Sequence, residues 1–256
     1  MSLSPKHHFI PIIEDILMVI LREYLSPNEL RAVMLSDKYF CETVKKIYGG
    51  KLSNVPLPDI KHLVQSLSMI MWSVKDGYVL TFKTFMTAAA FGKMDVLYFL
   101  RDSNCSWNSM VCTEAAKNGH LNVIKWLRDR EVHGEEVCPW NYVTCSYAAK
   151  NGHLNVLKWL RDREVHGDQV CPWNEDACAA AASKGRLNLL KWLRNREVHG
   201  EDVCPWDVKT CTAAVANNHL HVLKWLRDRK VHGEDVCPWN DETLKVAAKN
   251  GLFHKI

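Results

Sequence analysis

No apolar stretch in this chain of 256 residues is long and clean enough to cross a bilayer. The longest, Phe9 to Leu25, is broken by Glu14, Asp15, Arg22 and Glu23. The start also lacks the basic stretch and small-residue cleavage site of a secretory signal. The ten cysteines are therefore expected as thiols in a reducing compartment, cytoplasmic (host cytoplasm if the chain is viral) or nuclear. Charge of one sign is scarce too. A net charge of +4 spread along the chain does not by itself call for nucleic acid or a membrane. No glycine-rich phosphate loop, carboxylate pair or nucleophile beside an oriented base stands out, so the expectation is a non-enzyme with no cofactor.

What the chain has is repetition. Trp126, Trp159, Trp192 and Trp225 follow one another at a spacing of 33, each inside Lys-Trp-Leu-Arg. Trp140, Trp173, Trp206 and Trp239 keep the same spacing inside Cys-Pro-Trp, and Gly134, Gly167, Gly200 and Gly233 keep it inside Val-His-Gly. Within one repeat, Asn141 is a good helix N-cap, matched by Asn108, Asn174, Asp207 and Asn240. A short helix through Cys145, Ala148 and Ala149 should end at Gly152. A second helix from Leu154 carries the apolar stripe Leu154, Val156, Leu157, Trp159 and Leu160, and Gly167 is placed to stop it. Pro172 bars helix in the turn that follows. One helix pair buries too little to stand alone, so the pairs must stack.

At these residues the chain resembles the ankyrin repeat. Ala148-Ala149-Lys150-Asn151-Gly152-His153-Leu154-Asn155-Val156-Leu157 is similar to the family's A-A-x-N-G-H-L-x-V-V/L core, and Ala115 to Leu121 repeats it. Val143-Thr144-Cys145-Ser146 stands where the family has T-P-L-H, and Cys-Pro-Trp stands in its hairpin segment. The repeat style looks like that of large DNA viruses and some protists. The implied fold class is all-α: an ankyrin-type helical-repeat solenoid over residues 81–256, of about five helix-pair units plus a partial one ending at Ile256. The first unit, Met86 to Trp107, is a looser match, and the later ones carry six extra residues in Arg-Glu-Val-His-Gly-Glu. The resemblance also implies that His120, His153 and His219 bond between neighbouring loops, and that first helices and the turns before them form a concave face for a target protein. The positions that vary between repeats are then candidates for reading the target: Glu114 and Tyr147 on the first helix, and Tyr142, Glu175 and Asp241 just after the cap. The two tyrosines are the strongest anchors.

Residues 5–48 stand outside the repeat as a small helical domain, joined to it by a helical linker over 49–80 in which Ile60 to Trp72 is apolar. Asp15 to Leu30, with Ser26-Pro27-Asn28-Glu29 reading as a helix start, resembles the F-box. Leu35 to Phe40 is similar to that family's L-x-x-C-K-x-F ending, with Ser36-Asp37 in place of Val-Cys. The resemblance implies docking on a Skp-type linker subunit through Ile16, Leu17, Ile20, Leu21, Leu25 and Leu30, with Lys38 and Phe40.

Two sets of residues invite chemistry and receive a structural reading. Each full repeat holds His-x4-Cys-x6-Cys, as in His133, Cys138 and Cys145, which are zinc-ligand types; Cys-x2-Cys pairs are absent, so buried thiols are expected and no metal. Lys125, Lys158, Lys191 and Lys224, with Arg128, Arg161, Arg194 and Arg227, form basic columns. Asp129, Asp162 and Asp228 follow four residues after the lysines, which reads as a solvated, charge-balanced face. The leading expectation is an adaptor that recruits a target protein to a cullin–RING (Skp/cullin/F-box) ubiquitin ligase. The alternatives are a scaffold or competitor whose head is only a cap and, more weakly, a nucleic-acid-binding solenoid.

Overall fold

A computed structural model describes residues 60–65, 67–75 and 78–252. These residues are helical, and no strand occurs among them. The head over 5–48 and its docking set Ile16, Leu17, Ile20, Leu21, Leu25, Leu30, Lys38 and Phe40 lie outside the described residues, as do residues 49–59, 66, 76 and 77 of the linker.

The described chain divides into two compact units, one containing 60–88 and 93–105, the other 89–92 and 106–252. In the first, α1 (Ile60–Leu63) and α2 (Leu67–Lys75) split the expected linker helix in two. α3 (Phe82–Ala90) and α4 (Met94–Asp102) form a helix pair, and α2 packs on α4. Leu63, Ile70, Phe85, Leu97 and Leu100 are buried in its core. Cys105 closes the pair by donating to the Thr81 carbonyl at 3.3 Å.

The second unit is built from one pattern. Its long first helices are α5 (Ser109–Lys117), α8 (Tyr142–Asn151), α11 (Glu175–Ser183), α14 (Val208–Ala216) and α17 (Asp241–Lys249). Its second helices are α6 (Leu121–Leu127), α9 (Leu154–Leu160), α12 (Leu187–Leu193) and α15 (Leu220–Leu226). One-turn helices follow: α7 (Arg130–His133), α10 (Arg163–His166), α13 (Arg196–His199) and α16 (Arg229–His232). α5, α8, α11, α14 and α17 pack side by side in chain order. Their facing residues are small, as Cys145, Ala148 and Ala149 show, so the helices can come close. The second helices bury the stripe that the sequence displays, with Val156, Leu157 and Leu160 fully inaccessible in α9.

Capping follows the expected residues. The side chains of Asn108, Asn141, Asn174, Asp207 and Asn240 each accept the backbone N–H two residues on, at 3.0–3.1 Å. Gly152 ends α8 in the left-handed region.

One boundary differs from expectation. The second helix does not run to Gly167. It stops at Leu160, and Asp162 then caps the separate helix α10 by accepting from Glu164 N at 3.0 Å. Gly167 ends that short helix instead. Asp129, Asn195 and Asp228 cap its counterparts in the same way. The six residues absent from the first helix pair are the ones that build this extra turn. The Cys-Pro-Trp segment then returns to the second helix, where Cys171 N donates to Leu160 O at 2.9 Å.

Candidate functional site

The recurring chemistry of this chain forms a ladder that runs through the repeats. His166 lies between two indoles, its ring centroid 5.0 Å from that of Trp140 and 4.5 Å from that of Trp159, edge to face with both. Its Nε2–H donates to the Trp159 carbonyl at 3.0 Å. His133, His199 and His232 repeat the arrangement. Between rungs, an arginine lies over the tryptophan of the next turn: Arg128 on Trp140 at 3.9 Å, Arg161 on Trp173 at 4.1 Å, Arg194 on Trp206 at 4.0 Å and Arg227 on Trp239 at 4.5 Å. Each arginine also donates through Nη1 to the carbonyl of the neighbouring Cys-Pro-Trp cysteine, at 2.8–3.0 Å.

The reading of the basic columns therefore needs correction. The arginine column is not a solvated face: the side chains of Arg161 and Arg194 are only 6% and 8% exposed. Asp129, Asp162 and Asp228 do not balance the lysines, because they cap the one-turn helices. The lysine column Lys125, Lys158, Lys191 and Lys224 does face solvent. Sequence reasoning missed the stacking. Its signal was present, since each arginine precedes a turn tryptophan by a constant 12 residues.

The cysteines are built into the same scaffold. The described ones are all buried and unpaired by disulfides. Cys138 donates to the Asn108 carbonyl at 3.3 Å, and Cys171, Cys204 and Cys237 repeat this one repeat further on each time. Burial, reinforced by hydrogen bonding with the cysteine packed against each, Cys145 and Cys204 respectively, pushes the Cys171 and Cys178 thiols well above their usual range. These thiols are poor nucleophiles and poor ligands near neutral pH. Among the described residues no group of three His, Cys, Asp or Glu side chains is placed to hold a metal ion. His120, His153 and His219 bridge neighbouring turns as expected, through Nε2 to the carbonyls of Ala90, Lys117 and Ser183 at 3.0–3.2 Å.

The ladder histidines carry a pH prediction. Burial lowers His166, His199 and His232 below the ordinary imidazole value, with Arg128, Arg161 and Arg194 respectively adding repulsion. The hydrogen bond to the tryptophan carbonyl opposes this in each case, as do Asp162 at His166, Asp202 at His199, and Asp235 with Asp228 at His232. A depressed folded value means that the neutral ring is favoured in the fold. Its stability is fully present above the unfolded value, about 6.5, and is lost as pH falls through the folded one. The thermal midpoint should be flat above about pH 7 and fall as the pH drops below about 6.5. His199→Gln should remove part of that fall. A midpoint that does not fall there would refute the assignment.

The candidate target-reading residues lie on the first helices. Glu114 and Tyr147 hold the same position on α5 and α8 and share a neighbour: Lys117 pairs with Glu114 at 3.1 Å and sits 5.6 Å from the Tyr147 ring centre. Tyr147 and Tyr142 are 36% and 44% exposed. Tyr142, Glu175 and Asp241 are the first residues of α8, α11 and α17. They form a second register, separate from the Glu114–Lys117–Tyr147 cluster.

A second surface was not anticipated. Three equivalent grooves open beside the ladder. One is lined by Lys125, Arg128, Arg130, Trp159, Val165 and Gln169. The next two repeat it, with Arg161, Arg163 and Asp202, then with Arg194, Arg196 and Asp235. In these two, the aspartate of the following repeat joins both arginines: Asp202 pairs with Arg161, and with Arg163 at 3.0 Å. Asp235 pairs with Arg194 at 2.5 Å and Arg196 at 3.7 Å. The chain was compared with known protein-family models and with curated proteins, and none of them matches it.

Proposed function

We propose that this chain is a non-enzymatic protein-interaction adaptor, in which an ankyrin-type repeat array holds a target protein and an F-box-like head docks on a Skp-type linker subunit of a cullin–RING ubiquitin ligase. One observation carries the binding half of this reading. The recurring Trp, His, Arg and Cys residues are occupied in holding the array together, and the cap residues in starting their own helices. Of the residues that vary between repeats, Tyr142, Tyr147, Glu175 and Asp241 lie at least partly exposed on the first helices. A scaffold that spends its constant residues on packing and its variable ones on an accessible face is suited to recognition. The order of modules, head then array, supports the adaptor half, together with the F-box-like string Asp15 to Leu30. The engagement of the arginine column with indoles and carbonyls counts against tracking of a phosphate backbone.

Co-purification with a eukaryotic Skp-type linker subunit tests the reading, using the full chain and the full chain carrying Leu17→Asp with Leu21→Asp. The parent should retain the subunit and the variant should lose it with the tryptophan fluorescence of the array unchanged. Should neither chain retain it, the adaptor half falls and the array stands as an interaction scaffold.

A further inference from the structure

The three grooves beside the ladder are internal controls for one another. Their lysine, paired arginine, tryptophan, valine and histidine positions match; they differ at Asn195, which stands where the other two have Asp129 and Asp162, at Asp168, which stands where the other two have Glu201 and Glu234, and in the aspartate column, which reads Gln169, Asp202, Asp235. Where the aspartate is present, its carboxylate sits between two guanidinium groups. At Gln169 a neutral amide replaces it, and that amide accepts only from Arg130 Nη2, at 2.9 Å. Arg128 keeps its carbonyl partner through Nη1 and its indole. Among the described residues nothing bonds Arg128 Nη2, the atom whose counterparts on Arg161 and Arg194 carry the ion pairs.

Among the described residues none of the acidic groups nearby bonds Arg128. Asp129 caps α7 through Glu131 N, and Glu135 pairs with Arg130 Nη1 at 3.2 Å. Asp168 pairs with Arg163, at 3.4 Å. Glu131 is exposed at the rim. Lys125 adds a further cation.

We infer that the Lys125–Arg128–Arg130–Gln169 groove is a receptor for a carboxylate of a bound protein. That carboxylate takes in trans the place that Asp202 and Asp235 fill in cis in the next two grooves. The chain itself identifies the ligand: a side-chain carboxylate is what two of the three equivalent sites already hold. A guanidinium presented on an indole floor with one donor committed is oriented for such a charge-assisted bond and loses little freedom on forming it. The source of the carboxylate rests on the protein-binding reading above; the groove can be tested without it.

The test uses the full chain with nitrogen-15 arginine, following the arginine Nε–Hε resonances by NMR. The probe is aspartate blocked at both termini; blocked asparagine and sodium chloride at matched ionic strength are the controls. The Arg128 resonance should shift saturably with blocked aspartate alone, while those of Arg161 and Arg194 stay in place. Gln169→Asp supplies the carboxylate in cis and should abolish the response. Arg130→Gln, at an exposed position, should weaken it with the fold undisturbed, which guards against misfolding of the first variant. Equal movement of all three arginines would mean unspecific ion binding and overturn the proposal. So would saturation by inorganic phosphate with no response to blocked aspartate. Loss of linker-subunit co-purification would leave this result untouched, so the two readings fail separately.

Discussion

Arg161→Ala should destabilise the array by about 3 kcal/mol, more than an ordinary surface arginine, whose truncation changes little. The guanidinium makes three kinds of contact at once. It lies 4.1 Å from the Trp173 ring centre, a desolvated stacking arrangement that contributes about 1–2 kcal/mol. It donates to the Cys171 carbonyl at 2.8 Å, a charge-assisted bond of about 1.5–3 kcal/mol whose loss leaves that carbonyl without its strongest donor. Its ion pair with Asp202 contributes less, because the aspartate is 42% exposed and screened. One cost runs the other way: Arg161 Nε is buried without an acceptor among the described residues, so the sum falls below the sum of parts. Arg161→Lys should recover less than half, since one ammonium cannot both cover the indole and reach the carbonyl. Urea unfolding of the full chain, followed by tryptophan fluorescence, reads both. A loss under about 0.5 kcal/mol for the alanine variant would mean that the stack is surface decoration.

The same arginine marks where sequence reading stops. The period of 33 and the five capping residues were legible, because each depends on a residue's own backbone or on a fixed spacing, whereas the bridging role of His120, His153 and His219 came only from the resemblance to the ankyrin repeat. The break at Leu160 was not legible. Arg161 and Asp162 extend the helical pattern as well as any solvent-facing residues, and only the folded chain shows the Asp162 carboxylate turned back to Glu164 N. Once Asp162 is read as a helix-face charge, the arginine column looks balanced and exposed. Seen as a cap, it turns the chain out of the helix and lets Arg161 drop onto Trp173. The candidate surface was legible in part. Variation between repeats pointed to Tyr142 and Tyr147, which are exposed. Gln169 was missed because a single uncharged residue in an acidic column has meaning only once that column is known to neutralise arginines.

Gly119→Ala should cost about 3 kcal/mol, against about 1 kcal/mol for Gly152→Ala, although the two glycines hold the same place in successive repeats. Both have positive φ, +78° and +83°, so both variants bear the left-handed penalty of about 1 kcal/mol. The difference lies in what faces them. A Cβ on Gly119 would stand 2.7 Å from Nδ1 of His153, and that ring is held at its far end by the bond from Nε2 to Lys117 O at 3.0 Å. The ring cannot yield without breaking the bridge between turns. At Gly152 the facing group is Arg186, a flexible side chain 3.1 Å from the added carbon and tethered by one bond of 3.4 Å. The chain has already run this substitution once. Asn218 occupies the glycine position with φ +58°, and the residue in the histidine register of the following turn is Leu252. Glycine at 92, 119 and 185 faces His120, His153 and His219; where the histidine is gone, a Cβ is accepted. The coupling is therefore between the pair. Gly119→Ala combined with His153→Leu should lose clearly less than the sum of the two single variants. Strict additivity in urea melts would mean that backbone strain alone, and not the histidine bridge, requires glycine there.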